Sequence, residues 1–275
     1  MFNSSVKAIF PPPALLKSLI DYLNNRCGRP GCQGLPTPES PERGHFAPGV
    51  VDHNLGMSDC CSPKGYRSIF SAKRAHAEAR RYRRRGLDRT SRRIAELLEQ
   101  QGIVGRTLLE VGGGIGAIQI ELLKAGITRA VNVELTPTYE EAAQALLREA
   151  GLEDRVERRV MDFAEASQVE AADIVIMNRV ICCYPDMPKL AGAAADHTRE
   201  VLVVSFPKER WWTRALIRMA DLALRVARQQ FQVFLHPPDK IVATAERHGL
   251  KTVSTKTSFF WEVASLRRTT AVPAK

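Results

Sequence analysis

The strongest chemical signal in the chain is Leu109-Glu110-Val111-Gly112-Gly113-Gly114-Ile115-Gly116. An apolar run that breaks into glycines reads as a strand feeding a tight loop and then a helix. Glycines there let the backbone come close to a ligand, and the helix N-terminus offers free N–H groups to it. Gly112, Gly114 and Ala117 satisfy the spacing of a dinucleotide-binding loop. Glu110 argues against that assignment. Its carboxylate would repel a pyrophosphate and attract a cationic ligand.

Two further acids fall where strands should end. Glu134 closes Ala-Val-Asn-Val-Glu, 18 residues after Gly116. A carboxylate there can accept both hydroxyls of a ribose, whether of a nicotinamide or of an adenosyl cofactor. Asp162 follows the next strand between Met161 and Phe163. It can accept from an adenine amino group while its apolar neighbours cover the ring faces.

These residues need a scaffold, and the pattern supplies one. Strands are expected at 107–111, 130–134, 156–160, 172–178 and 200–206, with helices at 115–125, 138–150 and 187–196 between them. The fourth strand is the most apolar and so should be central. Strand–helix alternation at this spacing predicts an α/β fold, a parallel sheet covered by helices on both faces. A long helix is expected over 211–231, with Arg214, Arg218, Asp221, Arg225 and Arg228 on one stripe and mostly apolar residues elsewhere. A shorter helix follows at 238–248. Two strands joined by almost nothing, 251–258 and 259–268, should form an antiparallel hairpin at the sheet edge.

The 275 residues are 44% hydrophobic and 25% charged, which excludes a wholly disordered chain. No run of 18 apolar residues occurs, so no spanning helix is expected. The net charge is +10, concentrated at 73–93, where ten Lys and Arg face two acids. That segment belongs to an Arg-rich helical extension, 67–101, broken at Gly86, and reads as a solvated face beside the domain. No aromatic recognition motif accompanies it, so nucleic acid is not an expected partner.

Residues 1–66 are rich in Pro and Gly and read as a disordered tail, with a short helix over 14–24. The N-terminus makes a poor signal peptide. The six cysteines do not form a disulfide framework, and the protein is expected to be reduced and cytoplasmic. Cys27, Cys32, Cys60 and Cys61 lack the usual metal-ligand spacing, so no metal is expected.

Taken together, the loop, Glu134 and Met161-Asp162-Phe163 resemble the class I S-adenosylmethionine-dependent methyltransferases. The resemblance spans roughly residues 67–268. It implies a Rossmann-like seven-stranded sheet of order 3-2-1-4-5-7-6 with the last strand antiparallel. The methyltransferase domain would run over 102–268 with a helical lid or insertion at 208–232. It also implies cofactor contacts from Glu110, Gly112, Gly113, Gly114, Gly116, Glu134, Leu135, Met161, Asp162, Phe163 and Asn178. Within that family, Val180-Ile181-Cys182-Cys183-Tyr184-Pro185 and Ser258-Phe259-Phe260-Trp261 look like segments of magnesium-protoporphyrin O-methyltransferases. The two cysteines and the long tail depart from that pattern, so the substrate does not carry over.

The expected reaction is methyl transfer to a small-molecule acceptor, with oxygen the first choice of acceptor atom. Tyr184 and His236 are the candidate catalytic side chains, His236 as the base. Cys182-Cys183 reads either as an inert buried pair or as a reactive or metalloid-binding one. The helix at 211–231 reads as a packed lid over an apolar acceptor or as a peripheral membrane contact. An NAD(P)-dependent oxidoreductase is the competing enzyme, disfavoured by Glu110 and Asp162. A non-catalytic RNA- or membrane-binding protein is the competitor of another class. Nothing in the sequence sets the oligomeric state. Met57 leads straight into helical sequence and is read as a candidate true start. An intact mass of the natively expressed protein that includes Met1 would exclude it.

Overall fold

A computed structural model describes residues 63–229 and 231–269. The candidate start at Met57, the helix at 14–24, the four N-terminal cysteines and nearly all of the Pro/Gly-rich tail lie outside those residues. Three helices come first: α1 (Pro63–Ile69), α2 (Ala72–Arg85) and α3 (Arg89–Gln100). Then β1 (Thr107–Val111), α4 (Ala117–Lys124), β2 (Arg129–Glu134), α5 (Glu140–Ala150), β3 (Val156–Val160), β4 (Ala172–Asn178), α6 (Met187–Asp196) and β5 (Thr198–Pro207) alternate. The chain closes with α7 (Trp211–Val226), α8 (Pro238–Arg247), β6 (Leu250–Thr257) and β7 (Trp261–Arg268).

The seven strands form one sheet of order β3-β2-β1-β4-β5-β7-β6, as the resemblance implied. The first five pair in parallel, and β7 runs antiparallel to both β5 and β6. The closing pair is antiparallel as expected, but only β6 lies at the edge. β7 fills the slot between β5 and β6.

Side-chain alternation explains why the central strands read as nearly continuous apolar runs. Leu108, Ile174, Ile176, Val201 and Val203 face one side, where they pack with Ile94, Leu98 and Leu122 of the helices. Leu109, Val175, Met177, Leu202 and Val204 face the other, against Leu190, Ala194 and Ile241. A strand covered on both faces needs apolar residues at every position.

Helix ends follow local chemistry. Asp88 caps α3, accepting from Thr90 N–H at 2.9 Å and Ser91 N–H at 3.3 Å. Gly151 ends α5 in the left-handed region at φ 65°. The helix expected over 211–231 stops five residues early, at Val226. Arg228 takes φ 52°, and Gln229 N–H donates back to the Leu224 carbonyl at 2.9 Å. This is a Schellman closure with arginine where glycine is usual, which is why the sequence gives no stop signal there.

The basic face of the Arg-rich extension is solvated as expected, with Arg80, Arg81, Arg83, Arg84 and Arg85 exposed, while its other face packs on the domain. Ala75 and Ala79 of α2 and Ile94, Leu97 and Leu98 of α3 are buried in the same core as the sheet. Arg83 of α2 also pairs with Glu149 of α5 at 2.6 Å.

Candidate active site

The carboxyl ends of β1, β2 and β4 and the segment after β3 open into a cavity of about 360 Å³, the size of a small cofactor site. Glu110, Gly112, Gly113, Gly114, Glu134, Leu135, Met161, Asp162, Phe163, Asn178 and Tyr184 all line it. Residues from three strand ends and one loop, up to 74 positions apart, are thus gathered into one site. Gly116 does not line it. It sits at φ 73° as the N-cap of α4 and turns the loop into the helix.

The glycine loop is fitted closely to what lies around it. Gly112 and Gly114 have φ values of 65° and 61°, a region that strains other residues. Gly113 is required by space instead. A Cβ there would lie 2.3 Å from Asn132 Nδ2 and 2.6 Å from the Glu110 carboxyl carbon. Gly114 N–H donates to Glu134 Oε1 at 2.5 Å. One Glu134 oxygen thus orders the loop, while the residue stays partly open to the cavity.

Electrostatics set the state of the two glutamates. Burial pushes Glu134 up to about 7, against the pull of Arg158 and the Gly114 amide. Burial and then the neighbouring Glu134 push Glu110 up to about 7, and Arg158 opposes them. Arg158 was not foreseen. It stands on β3, nearly buried, donates through Nε to Glu140 at 2.9 Å and through Nη2 to the Gly114 carbonyl at 3.1 Å. The only sequence signal for it was the charged middle of Val-Glu-Arg-Arg-Val.

Asn178 and Asp162 are engaged by protein partners. Asn178 Nδ2 donates to Ser91 Oγ at 3.2 Å, and its Oδ1 accepts from Ser205 Oγ at 2.8 Å. Asp162 accepts from Ala164 N–H at 3.0 Å, and the Tyr184 hydroxyl donates to its Oδ2 at 2.9 Å. Burial and the Asp162 carboxylate raise Tyr184 well above the ordinary phenol range. Tyr184 is therefore a hydrogen-bond donor at this site and is poorly suited to take a proton. His236, expected as the base, does not line the cavity. Its Nε2 is held 2.9 Å from the Tyr184 carbonyl oxygen, and burial lowers its pKa.

The opposite wall comes from the N-terminal helices, which the sequence did not mark as part of the site. Tyr66, Phe70, Arg74, Glu78 and Tyr82 line it, together with Tyr139, Arg179 and Cys183. Arg179 takes φ 63° directly after β4 and pairs with Asp88 at 2.6 Å. Burial alone would raise Asp88, but Arg179 and the bonds from Ser91 hold it below the ordinary carboxylate range. The Tyr66 hydroxyl donates to the Cys183 carbonyl. The Cys182 and Cys183 sulfurs lie 3.9 Å apart, well beyond a disulfide bond. Among the described residues, no cluster of His, Cys, Asp or Glu is arranged to hold a metal.

The tight seat of Gly113 gives a direct test. Gly113→Ala should lower stability by about 1–3 kcal/mol in denaturant unfolding, as overpacking does. An unchanged midpoint would show that the loop relaxes off Asn132 and Glu110 freely.

Comparison with known proteins agrees with this geometry. A family model described as a methyltransferase domain matches residues 79–255. No curated protein sequence matches the chain. The fold is similar to the crystal structure of magnesium protoporphyrin IX methyltransferase from Synechocystis PCC 6803 with bound SAH. The TM-score is 0.57 at 16% identity, over 74% of this chain and 93% of that one. The same enzyme with bound SAM gives 0.54 at 16% identity, over 78% and 100%. An O-methyltransferase family protein from Burkholderia thailandensis gives 0.55 at 20% identity, over 74% and 64%. At these identities the solved structures establish the fold, and the family model, which covers well over half of the chain, establishes the family. The chain belongs to the methyltransferase-domain family, the S-adenosylmethionine-dependent transferases that its glycine loop resembles.

Proposed function

We infer that this protein transfers the methyl group of S-adenosylmethionine to an oxygen atom of a small-molecule acceptor. The observation that carries the reading is Glu134, tied to Gly114 N–H and open to the same cavity as Asp162 and the glycine loop. Glu134 would accept the ribose hydroxyls, and Met161, Phe163 and Leu135 would cover the adenine. Asp162 can accept the adenine amino group beside the Tyr184 hydroxyl. Glu110, beneath the loop, would favour the positive end of the cofactor. When bound, the cofactor supplies a sulfonium methyl that is already activated. The chain's own task is then to orient the acceptor and exclude water.

The choice of oxygen rests on proton chemistry. Neither Tyr184 nor His236 is placed to take a proton from an acceptor. An oxygen that enters already ionised, above all a carboxylate, needs no such help. Arg74 and Arg179 on the cavity wall are paired with Glu78 and Asp88, so they reach an acceptor as hydrogen-bond donors within neutral pairs, and Tyr66 and Phe70 offer apolar surface to its body.

Calorimetric titration with S-adenosylmethionine tests the cofactor reading. Micromolar binding is expected for the wild type, weakened by at least about tenfold in Glu134→Ala, since two bonds to a charged group are lost. No binding to folded wild type would overturn it, and titration with NADH would then test the oxidoreductase. Mass spectrometry of a carboxylate and phenol panel checks the acceptor, with methyl esters the expected product.

The glutamates also set a pH dependence. Both rise from an ordinary 4.5 to about 7, so the cofactor-free protein holds protons that a cationic ligand must displace. Binding should release protons and weaken as pH falls from 8 through 7. The same shift makes folding stability fall as pH rises from 4.5 to about 7, because the folded state binds protons more tightly there. Glu110→Gln should flatten both profiles, and unchanged profiles in that variant would assign the dependence to other groups.

A further inference from the structure

Helix α7 presents two different faces. Thr213, Ile217 and Leu224 are buried against the domain. Trp211, Met219, Leu222 and Val226 point the other way and are 81%, 62%, 62% and 71% exposed. Their spacing, with Ala215 between, places them on one stripe at helical period. The stripe runs the full helix, about 22 Å. At its start the apolar surface widens, because Phe259, 54% exposed, stacks on Trp212 with ring centroids 4.9 Å apart.

Exposed apolar residues in a row of this length mark a surface that meets something. The neighbouring charges say what. At 100° per residue, Arg214, Arg218 and Arg225 run along one flank of the stripe, all exposed. Arg214 is paired with Glu209, while Arg218 and Arg225 form no ion pair among the described residues. The one acid of the helix, Asp221, is turned inward and accepts from Val233 N–H at 3.0 Å. The outer face is thus apolar along its crest and cationic along its side. A tryptophan stands at one end, where an amphipathic ring can sit at headgroup level. Among the described residues no helix is long and apolar enough to cross a membrane, so such a surface would lie on a bilayer rather than span it.

We propose that the outer face of α7 docks on an anionic lipid surface, its apolar stripe entering the headgroup boundary and its arginines meeting lipid phosphates. The buried side of the same helix leads to the cavity. Leu224 packs in a cluster with Tyr66 and Phe231, and Phe70 and Cys183 join it. Tyr66, Phe70 and Cys183 line the cavity. Docking therefore leaves one helix thickness, about 10 Å, between the bilayer and the side chains behind the acceptor wall. That makes a lipid-soluble anion the class of acceptor delivered there. This last step rests on the methyl-transfer reading, whereas the docking does not.

Flotation of the full chain with vesicles tests it. The wild type is expected to float with vesicles of mixed neutral and anionic phospholipid, to stay behind with neutral vesicles, and to be released by high salt. Arg218→Glu with Arg225→Glu should weaken binding by about tenfold or more, at roughly fivefold per basic residue removed from the surface. Met219→Asp with Leu222→Asp should abolish it. All four positions are exposed and lie outside the cofactor pocket, so both variants should titrate with S-adenosylmethionine as the wild type does. Wild type that fails to float at low salt overturns the proposal. Variants that float like wild type overturn it too and move the contact to another basic segment. Self-association that Leu222→Asp removes, without vesicle binding, would assign the face to a second copy of the chain. Docking that persists while no variant binds the cofactor would instead overturn the transfer reading alone.

Discussion

One row of polar side chains crosses three strands of an otherwise apolar sheet face. Glu110 on β1 is in register with Asn132 on β2, and Asn132 with Arg158 on β3. Glu110 and Asn132 are almost fully buried, with Gln119 of α4 above them. Such a row costs desolvation, since the Asn132 and Gln119 amides and Glu110 Oε2 find no hydrogen-bond partner among the described residues, and Arg158, by its charge, offsets only part of that cost. It lies close enough to oppose the upward shift of both glutamates, while its hydrogen bonds reach Glu140 and the Gly114 carbonyl. The Gly114 amide is meanwhile held by Glu134. Both backbone polar groups of Gly114, and so two successive loop peptides, are therefore fixed, and the loop can hold a single shape without a side chain of its own.

A second network fixes the other rim. Asn178 at the end of β4 bonds Ser91 of α3 and Ser205 of β5. The next residue, Arg179, is turned into the left-handed region with its N–H bonded to Ser205 Oγ at 2.9 Å. Its guanidinium reaches Asp88, the cap of α3, and lies 5.2 Å from the centre of the Trp261 ring. An α-helical N-cap, a strand end and the closing hairpin thus meet at one arginine. The strained φ costs on the order of 1 kcal/mol and is offset only because each of these partners constrains it. Through this contact the N-terminal helices become part of the site.

Much of the fold was legible because its physics is local. A strand buried on both faces must be largely apolar, and 107–111 and 172–178 were read to the residue for that reason, whereas the half-buried edge strand 156–160, charged at its centre, was placed by its flanking valines and the strand–helix alternation. Acids and glycines at strand ends stood out against that background. Arg158 did not, since its inward direction depends on the register of β3 against β2, which the residues of β3 alone do not reveal. Tyr184 and His236 were legible as residue types but not as roles. What they do is decided by Asp162 and by a backbone carbonyl that the fold brings to them. The early end of α7 was invisible for a related reason, because Arg228 takes a backbone conformation that its side chain does not announce.

The same contrast divides the cavity in two. One half is lined by consecutive strand ends of one sheet, so each lining residue lies at a predictable place in a repeating unit. Its other half is made by α1 and α2, by Arg179 to Tyr184 and, one layer behind, by Phe231 and α7, segments that share no repeat. An aromatic wall of Tyr66 and Phe70 backed by Phe231, with rings 5.5 and 5.7 Å from the last, is built from three separate parts of the chain. Under the proposed methyl transfer, the choice of acceptor falls to the packing of these non-repeating segments, and the helix that completes it from outside is the one whose other face is apolar and exposed.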